Sequence, residues 1–395
     1  MTRVGFVLRD NRGWTGGHYY LKNLLYAVSR HGSSAIEPVF LAGAKADHHR
    51  IMEILAPGAP LVRSALLDRK SVPWTIHKAS AKLLNVQFFL NNLIKKENIA
   101  AVSHSDIAGN GLACKTINWI PDFQHLHLPD MFSQEEIKIR NALYLRLARC
   151  SDILILSSHD ALEDLKHFAQ DHVHNARVLQ FVCQPDERIF GIQGGREIEK
   201  KYTFKGKFFY LPNQFWKHKN HRVVFEAVKL LKERRLNVLV LCSGLMEDYR
   251  NKGHVDGLLQ YVRDNGLNEN IRLLGLIDYT DVLYLMRNSI SVINPSLFEG
   301  WSSTVEEAKS IGKSLILSNI NVHREQNPPA AVYFDPADSE GLANILWQKW
   351  NASAGGPDAD LEREAAAFLP RRTMGFAKTY ENIVYEVLNK NGGNK

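Results

Sequence analysis

Short apolar runs of three to seven residues recur along the chain, separated by longer stretches whose apolar positions repeat with helical spacing. In the first half the runs are Val4–Leu8, Ile36–Ala42, Ala100–Ser103, Thr116–Ile120, Ile153–Leu156 and Ala176–Leu179. In the second half they are Lys207–Leu211, Leu236–Cys242, Ile271–Leu274, Ser289–Ile293, Ser314–Leu317 and Val332–Phe334. Continuous rather than alternating apolar character marks strands buried on both faces, and their alternation with helical stretches predicts parallel sheets covered by helices. Helices are expected at His18–Arg30, Arg222–Glu233, Ser303–Ile311 and Phe376–Leu388, with an amphipathic one over Lys78–Lys96. The α/β pattern restarts after Phe181–Phe204, where Pro185, Gly191 and Gly194-Gly195 mix with charges. The expected organisation is therefore two Rossmann-like domains, 1–180 and 205–375, joined by a linker over 181–204.

Composition agrees. A chain of 395 residues is too long for one ordinary core and long enough for two. No apolar run is long enough to span a bilayer, and the N-terminus enters directly into a strand without a signal-peptide core. Cys114, Cys150, Cys183 and Cys242 show no metal-type pairing and read as reduced thiols of a cytoplasmic protein. The formal charge of +7 suits an anionic small molecule or an anionic membrane surface. Nucleic acid ranks last, because no basic stretch interleaves with aromatics. The lysines and apolar residues of Lys78–Lys96 fit a solvated surface helix, with a membrane-surface face as the alternative.

The chemistry concentrates in Asn294-Pro-Ser-Leu-Phe-Glu-Gly-Trp-Ser-Ser-Thr-Val-Glu-Glu-Ala-Lys-Ser-Ile-Gly312. A strand, a glycine turn and a helix N-terminus together present backbone N–H groups and a positive dipole end, which suits an anion. Glu299 and Glu307 bracket that turn, and carboxylates bind the hydroxyls of a sugar or ribose. One turn can hold a diphosphate on the amides of Gly300, Trp301, Ser302, Ser303 and Thr304 while the glutamates hold the flanking sugars. Ser303-Thr-Val-Glu306 has the spacing of a capping box, which gives Glu306 a structural duty. Two further strand–loop–helix units offer contacts: Gly16-Gly17 after the first strand, and Gln214 through Lys219, with Lys217 and Lys219 as cations for a diphosphate. Between the halves, Pro121-Asp-Phe-Gln-His-Leu-His-Leu-Pro129 packs Asp122, His125 and His127 into one loop, where alternation in an extended chain puts both histidines on one side. Asp358-Ala-Asp360 is formally a metal-diphosphate motif, but its place in a Gly/Pro loop makes it incidental.

Glu299 and Glu307, inside Pro-Ser-x-x-Glu-Gly and followed by Glu-Ala-x-x-x-Gly, resemble the E-x7-E motif of the retaining family 4 (group 1) glycosyltransferases. The resemblance runs with gaps from Gly16-Gly17 to Glu325. It implies a GT-B fold, two Rossmann-like domains facing a central cleft, with the last helix (376–395) packing back on the first. It implies a metal-independent transferase with no cofactor, moving a sugar from a nucleotide-diphosphate sugar to a glycan or lipid-linked acceptor, commonly in bacterial surface polysaccharide synthesis. It would work in the cytoplasm or at the inner face of the membrane. In such enzymes the first glutamate lies at the transferred sugar and the second holds the ribose, so Glu299, Lys219, Asp122 and a histidine are the expected catalytic set. Leu276 and Ile277 fall where the family reads the base. Two departures stand out. Pro121 occupies the place of the family's histidine, leaving His125 (preferred) or His127, and Gln214 replaces an arginine whose charge Lys217 would have to supply. A nucleotide-sugar epimerase or phosphorylase, and a non-catalytic nucleotide- or glycan-binding protein, are the rival readings.

Overall fold

The computed structural model describes residues 1–8, 15–33, 35–45, 58–84, 87–107, 111–191 and 195–389. The chain divides into two units, Met1–Phe123 with Glu135–Val182 and Arg371–Lys395, and Gln124–Gln134 with Cys183–Pro370. The first holds a parallel sheet of β1 (Thr2–Val7), β2 (Ile36–Ala42), β3 (Leu61–Arg63), β4 (Ile99–Ser105), β5 (Lys115–Ile120), β6 (Ile153–Leu156) and β7 (Ala176–Val178), ordered β3-β2-β1-β4-β5-β6-β7. The second is built on β8 (Phe209–Leu211), β9 (Val240–Ser243), β10 (Ile271–Gly275), β11 (Val292–Asn294), β12 (Leu315–Ser318) and β13 (Ala331–Phe334), ordered β10-β9-β8-β11-β12-β13. Both orders are those of the doubly wound fold, in which ligands collect at the carboxyl ends of the strands where the order reverses. The two Rossmann-like α/β units expected from the sequence are present.

Strand periodicity explains the layering of the second unit. Successive side chains point to opposite faces. Phe209 and Leu211 accordingly join Val224, Val228 and Leu231 of the helix His221–Glu233 and Leu342 and Leu346 of the helix Ser339–Ala352. Tyr210, between them, joins Leu283 and Leu285 of the helix Tyr279–Asn288 and Val305, Ala308 and Ile311 of the helix Ser303–Ile311 on the other face. Each large apolar side chain buried in this way contributes about 2 kcal/mol.

Several expectations need correction. The helix expected from His18 begins at Thr15, so Gly16 and Gly17 lie in its first turn, where the N–H groups lack intrahelical partners and glycine costs little. Residues 9–14, the rest of that glycine stretch, lie outside the described residues. The amphipathic stretch Lys78–Lys96 is two helices, Val72–Leu84 and Phe88–Lys96, with Gln87 non-helical between them. The linker stretch contains a 3₁₀ turn, Glu187–Phe190, and a short helix, Gly195–Lys201, with Ile189 and Phe204 buried in the core of the second unit. The terminal helix is one element, Ala359–Asn389, with Pro370 inside it. Asp358 Oδ1 accepts the Leu361 N–H at 3.1 Å at its start, and exposed Asp360 pairs with Arg363.

Gly312 ends the helix Ser303–Ile311 with φ 71°, its N–H bonded to Ala308 O, and the backbone of Leu361 and Glu362 lies where a Cβ would stand. Gly312→Ala adds left-handed strain to a backbone collision, so it is expected to cost on the order of 2 kcal/mol or more. A thermal melt should show the Tm falling by at least about 5 °C.

Candidate active site

β8 and β11 are neighbours at the reversal point of the second sheet, so the loops that follow them, 212–220 and 295–302, leave the same edge side by side. Buried amides stitch the loops together. Asn213 Nδ2 donates to Asn294 Oδ1 at 2.9 Å, Asn294 Nδ2 to Ser302 Oγ at 2.8 Å, and Thr304 Oγ1 to Asn213 Oδ1 at 3.1 Å. The Leu297 N–H donates to His218 O at 2.8 Å, and Asn220, left-handed at φ 54°, donates to Pro295 O and Pro336 O. Gly244, at the end of β9, presses on the Asn213–Gln214 backbone, and no larger residue would fit there.

This frame holds an ion pair. Lys219 Nζ lies 2.6 Å from Glu299 Oε1, with side chains only 17% and 9% exposed. The Ser296 hydroxyl is 2.6 Å from the same oxygen and 2.7 Å from Asn294 Oδ1. Burial would push the Glu299 carboxyl up, but the Lys219 ammonium, with His323 nearby and the Ser296 hydroxyl, holds it below the ordinary carboxylate range. Behind the pair, His323 is fully buried, and its Nδ1 must donate to Ser318 O at 2.9 Å because a carbonyl only accepts. Its Nε2 is therefore a bare acceptor without a partner among the described residues, and burial keeps the ring neutral by lowering its pKa.

Glu307 sits in the opposite environment. Its Oε1 accepts from the Tyr279 hydroxyl at 2.9 Å, and no cation lies within ion-pair distance among the described residues. Burial pushes its carboxyl up to about 7. Two carboxyls with pKa values driven apart by their surroundings are the usual mark of divided labour at a site.

The helix that carries Glu307 is capped by Ser302, whose Oγ accepts the Val305 N–H at 3.4 Å. Ser303 and Glu306 do not form the expected capping box. Glu306, 1% exposed, instead receives Lys309 Nζ at 3.1 Å and Gln326 Nε2 at 3.1 Å. Of the expected amide cradle, Ser302 N–H is taken by Gln326 Oε1 at 3.2 Å. The N–H groups of Gly300, Ser303 and Thr304 donate to nothing among the described residues, and Trp301 is half-buried beside them.

Lys217 is exposed, with its backbone N–H anchored on Asp248 Oδ2 at 2.9 Å. Gln214 is half-buried in the same loop. Leu276 is 75% exposed after β10, while Ile277 packs on the core with Tyr279. Asp278 makes no capping bond. Gly16, Gly17 and Asp122 belong to the first unit, where Asp122 lies near Tyr144 and, after burial, helps raise that phenol's pKa.

The histidine stretch departs from expectation. Gln124–His127 is a helical turn, not an extended loop, so residues two apart diverge. His125 is 1% exposed against the edge of Phe132, whereas His127 is exposed with its ring 5.0 Å from that of Phe298, next to Glu299. Of the two rings, that of His127 meets Phe298, the residue before Glu299, and that of His125 meets Phe132. Asn213, Asn294, Ser296, Tyr279 and His323 were not singled out in the sequence, although Asn294 and Ser296 are polar residues closing an apolar strand. Among the described residues no group of three or more His, Cys, Asp or Glu could hold a metal ion.

Residues 196–348, which contain every residue of this frame from Asn213 to Gln326, match the family model for glycosyl transferases group 1. A stretch of 131 residues is 32% identical to O-antigen chain mannosyltransferase B of Escherichia coli, spanning 32% of this chain and 33% of that protein. Among solved structures, HepE of Anabaena in complex with UDP-glucose matches with a TM-score of 0.70 at 15% identity, over 98% of this chain and 100% of that one. A glycosyltransferase of Rickettsia africae matches with a TM-score of 0.69 at 14% identity, over 99% of both chains. WaaG, a glycosyltransferase involved in lipopolysaccharide biosynthesis, matches with a TM-score of 0.62 at 14% identity, over 99% and 100%. The structural likenesses establish the fold as that of GT-B glycosyltransferases, and the family and sequence matches support a transferase enzyme.

Because Glu307 has a higher pKa folded than the ordinary 4.5, the native state binds more protons than the unfolded state between those values. Its contribution to stability therefore falls as pH rises from about 4.5 to 7, by on the order of 3 kcal/mol. Glu307→Gln should melt higher than the parent at pH 8 and lose that advantage at pH 4.5, as thermal melts at the two pH values would show.

Proposed function

We propose that this chain is a retaining, metal-independent glycosyltransferase that moves a sugar from a nucleotide-diphosphate sugar to a hydroxyl of a glycan or lipid-linked saccharide. The single observation that carries the reading is the Lys219–Glu299 pair, 2.6 Å apart at the reversal point of the second sheet. Transfer through an oxocarbenium-like state builds negative charge on the departing diphosphate. A fixed ammonium, the amides of Gly300, Ser303 and Thr304 and the N-terminus of the helix Ser303–Ile311 are the groups that would receive that charge. Glu299 would hold hydroxyls of the transferred sugar and keep Lys219 aimed. Glu307 would hold the ribose, and the exposed Leu276 stretch would face the base.

In this scheme the acceptor hydroxyl attacks the anomeric carbon from the face that the diphosphate leaves. The carbon–oxygen bond to phosphate breaks as the new glycosidic bond forms, and the acceptor's proton passes to the leaving phosphate oxygen. Lys219 supplies the neutralising charge throughout, so no divalent ion is required.

A bacterial surface polysaccharide, lipopolysaccharide included, is the proposed setting. The O-antigen mannosyltransferase and WaaG likenesses support it. Among the described residues no helix is long and apolar enough to cross a membrane. We place the protein in the cytoplasm with a peripheral contact at the inner face of the membrane. The first unit offers exposed Val72, Ile76, Phe88 and Phe89 near exposed Lys95 and Lys96 for that contact.

Thermal-shift screening with UDP, GDP, ADP and dTDP identifies the nucleotide, since a ligand of the folded state raises Tm. With the matching nucleotide sugar, Lys219→Ala and Glu299→Ala are each expected to lower turnover by at least about tenfold, and nearer a hundredfold where a charge-stabilising contact is lost. Turnover should survive EDTA, and the anomeric proton coupling of the product should show retained configuration. Rapid epimerisation or phosphorolysis of the nucleotide sugar without any acceptor would replace the transferase reading.

A further inference from the structure

The segment Gln124–Gln134 lies in sequence between β5 and the helix Gln134–Cys150 of the first unit, yet it belongs structurally to the second. What fastens it there is unusual. Arg250, in the loop after β9, places its guanidinium carbon 4.6 Å from the Phe132 ring centroid, 5.1 Å from that of Trp216 and 5.7 Å from that of Tyr249. Its Nη1 donates to Gln124 Oε1 at 3.1 Å. The cation has no carboxylate within ion-pair distance among the described residues, and its Nε is buried without a hydrogen bond. Ring faces and one amide oxygen, rather than an acid, compensate the charge. A flat, weakly hydrated guanidinium suits that role better than an ammonium does.

The anchor of Arg250 is itself part of the site. Asp248, 5% exposed, accepts the backbone N–H groups of Arg250, Asn251 and Lys217, so the Arg250 loop and the start of the Lys217–Lys219 turn hang from one carboxylate. The segment is thus held near both of its ends by Arg250, through Gln124 and Phe132. Between them, His127 rests on Phe298, the neighbour of Glu299. The two attachments, at Arg250 and at Phe298, touch the two loops whose tips form the Lys219–Glu299 pair.

We infer that Gln124–Gln134 is a wall of the candidate active site and that Arg250 is the positioning residue that clamps it there. Arg250 acts through the segment, not on substrate, so nucleotide binding does not depend on it. The kinetic consequence rests on the glycosyltransferase reading; the structural one does not.

Hydrogen exchange by mass spectrometry on the full chain tests the clamp directly. Arg250→Ala should speed amide exchange across 124–134 by about tenfold or more while leaving β8, β9, β11 and β12 unchanged, as expected for release of a local unit. Arg250→Lys, which keeps the charge and loses the flat face, should fall between. Gln124→Ala removes the polar contact from the other side and is the check if Arg250→Ala does not fold; it should speed exchange in the same residues by a smaller factor. With the nucleotide sugar identified by thermal shift, Arg250→Ala should lower kcat by about tenfold, because a misplaced wall spoils orientation, and leave the KM for that sugar within about twofold. Unchanged exchange in the segment, or faster exchange throughout the second sheet, overturns the inference. A wild-type chain that consumes no nucleotide sugar overturns the transferase reading, and the exchange result still decides the clamp.

Discussion

An ammonium and a carboxylate held 2.6 Å apart with little solvent are costly to bring out of water, by several kcal/mol per ion, and their attraction offsets that cost only when the geometry is tightly kept. The surroundings of Lys219 and Glu299 meet that requirement. Two loops from adjacent strands are joined by a chain of amide and hydroxyl contacts running Thr304, Asn213, Asn294, Ser302, with Ser296 reaching the carboxylate itself. Nearly every atom in that chain is buried and satisfied, which makes it rigid and leaves little room for substitution. The pair is thereby a cation held in place by its own counter-ion.

The two glutamates that the helix and its turn present are chemically unlike. Glu299 is pinned as a carboxylate by a neighbouring cation, whereas Glu307 is desolvated beside a phenol and titrates close to neutrality. A group that weakens the fold merely by ionising is hard to explain as scaffold and easy to explain as a ligand contact, since stability and activity compete at working sites.

Much of this was legible in the chain. Continuous apolar runs at regular spacing marked the strands, and nine residues of helix period after a glycine turn marked the helix that carries Glu307. β3 was missed because Leu61–Arg63 is three residues long and mostly half-exposed, too brief for any period to register. The capping box failed because Ser302 and Ser303 are adjacent equivalents, and tertiary contacts with Lys309 and Gln326 claimed Glu306. The extended loop expected to put His125 and His127 on one side is a helical turn, and four residues are too few to show which period applies. Arg250 carried little local signal: its two nearer aromatic partners lie 34 and 118 residues away in sequence, at Trp216 and Phe132, and only Tyr249 is adjacent.

The membership of Gln124–Gln134 in the second unit bears on how such proteins recombine. A chimera that joins the N-terminal half of one relative to the C-terminal half of another at a single crossover near residue 182 would leave this stretch with the wrong parent. Its Phe132 and Gln124 would then face a foreign loop in place of Arg250. Swapping whole units between relatives should therefore use four junctions, carrying the eleven-residue insert along with residues 183–370.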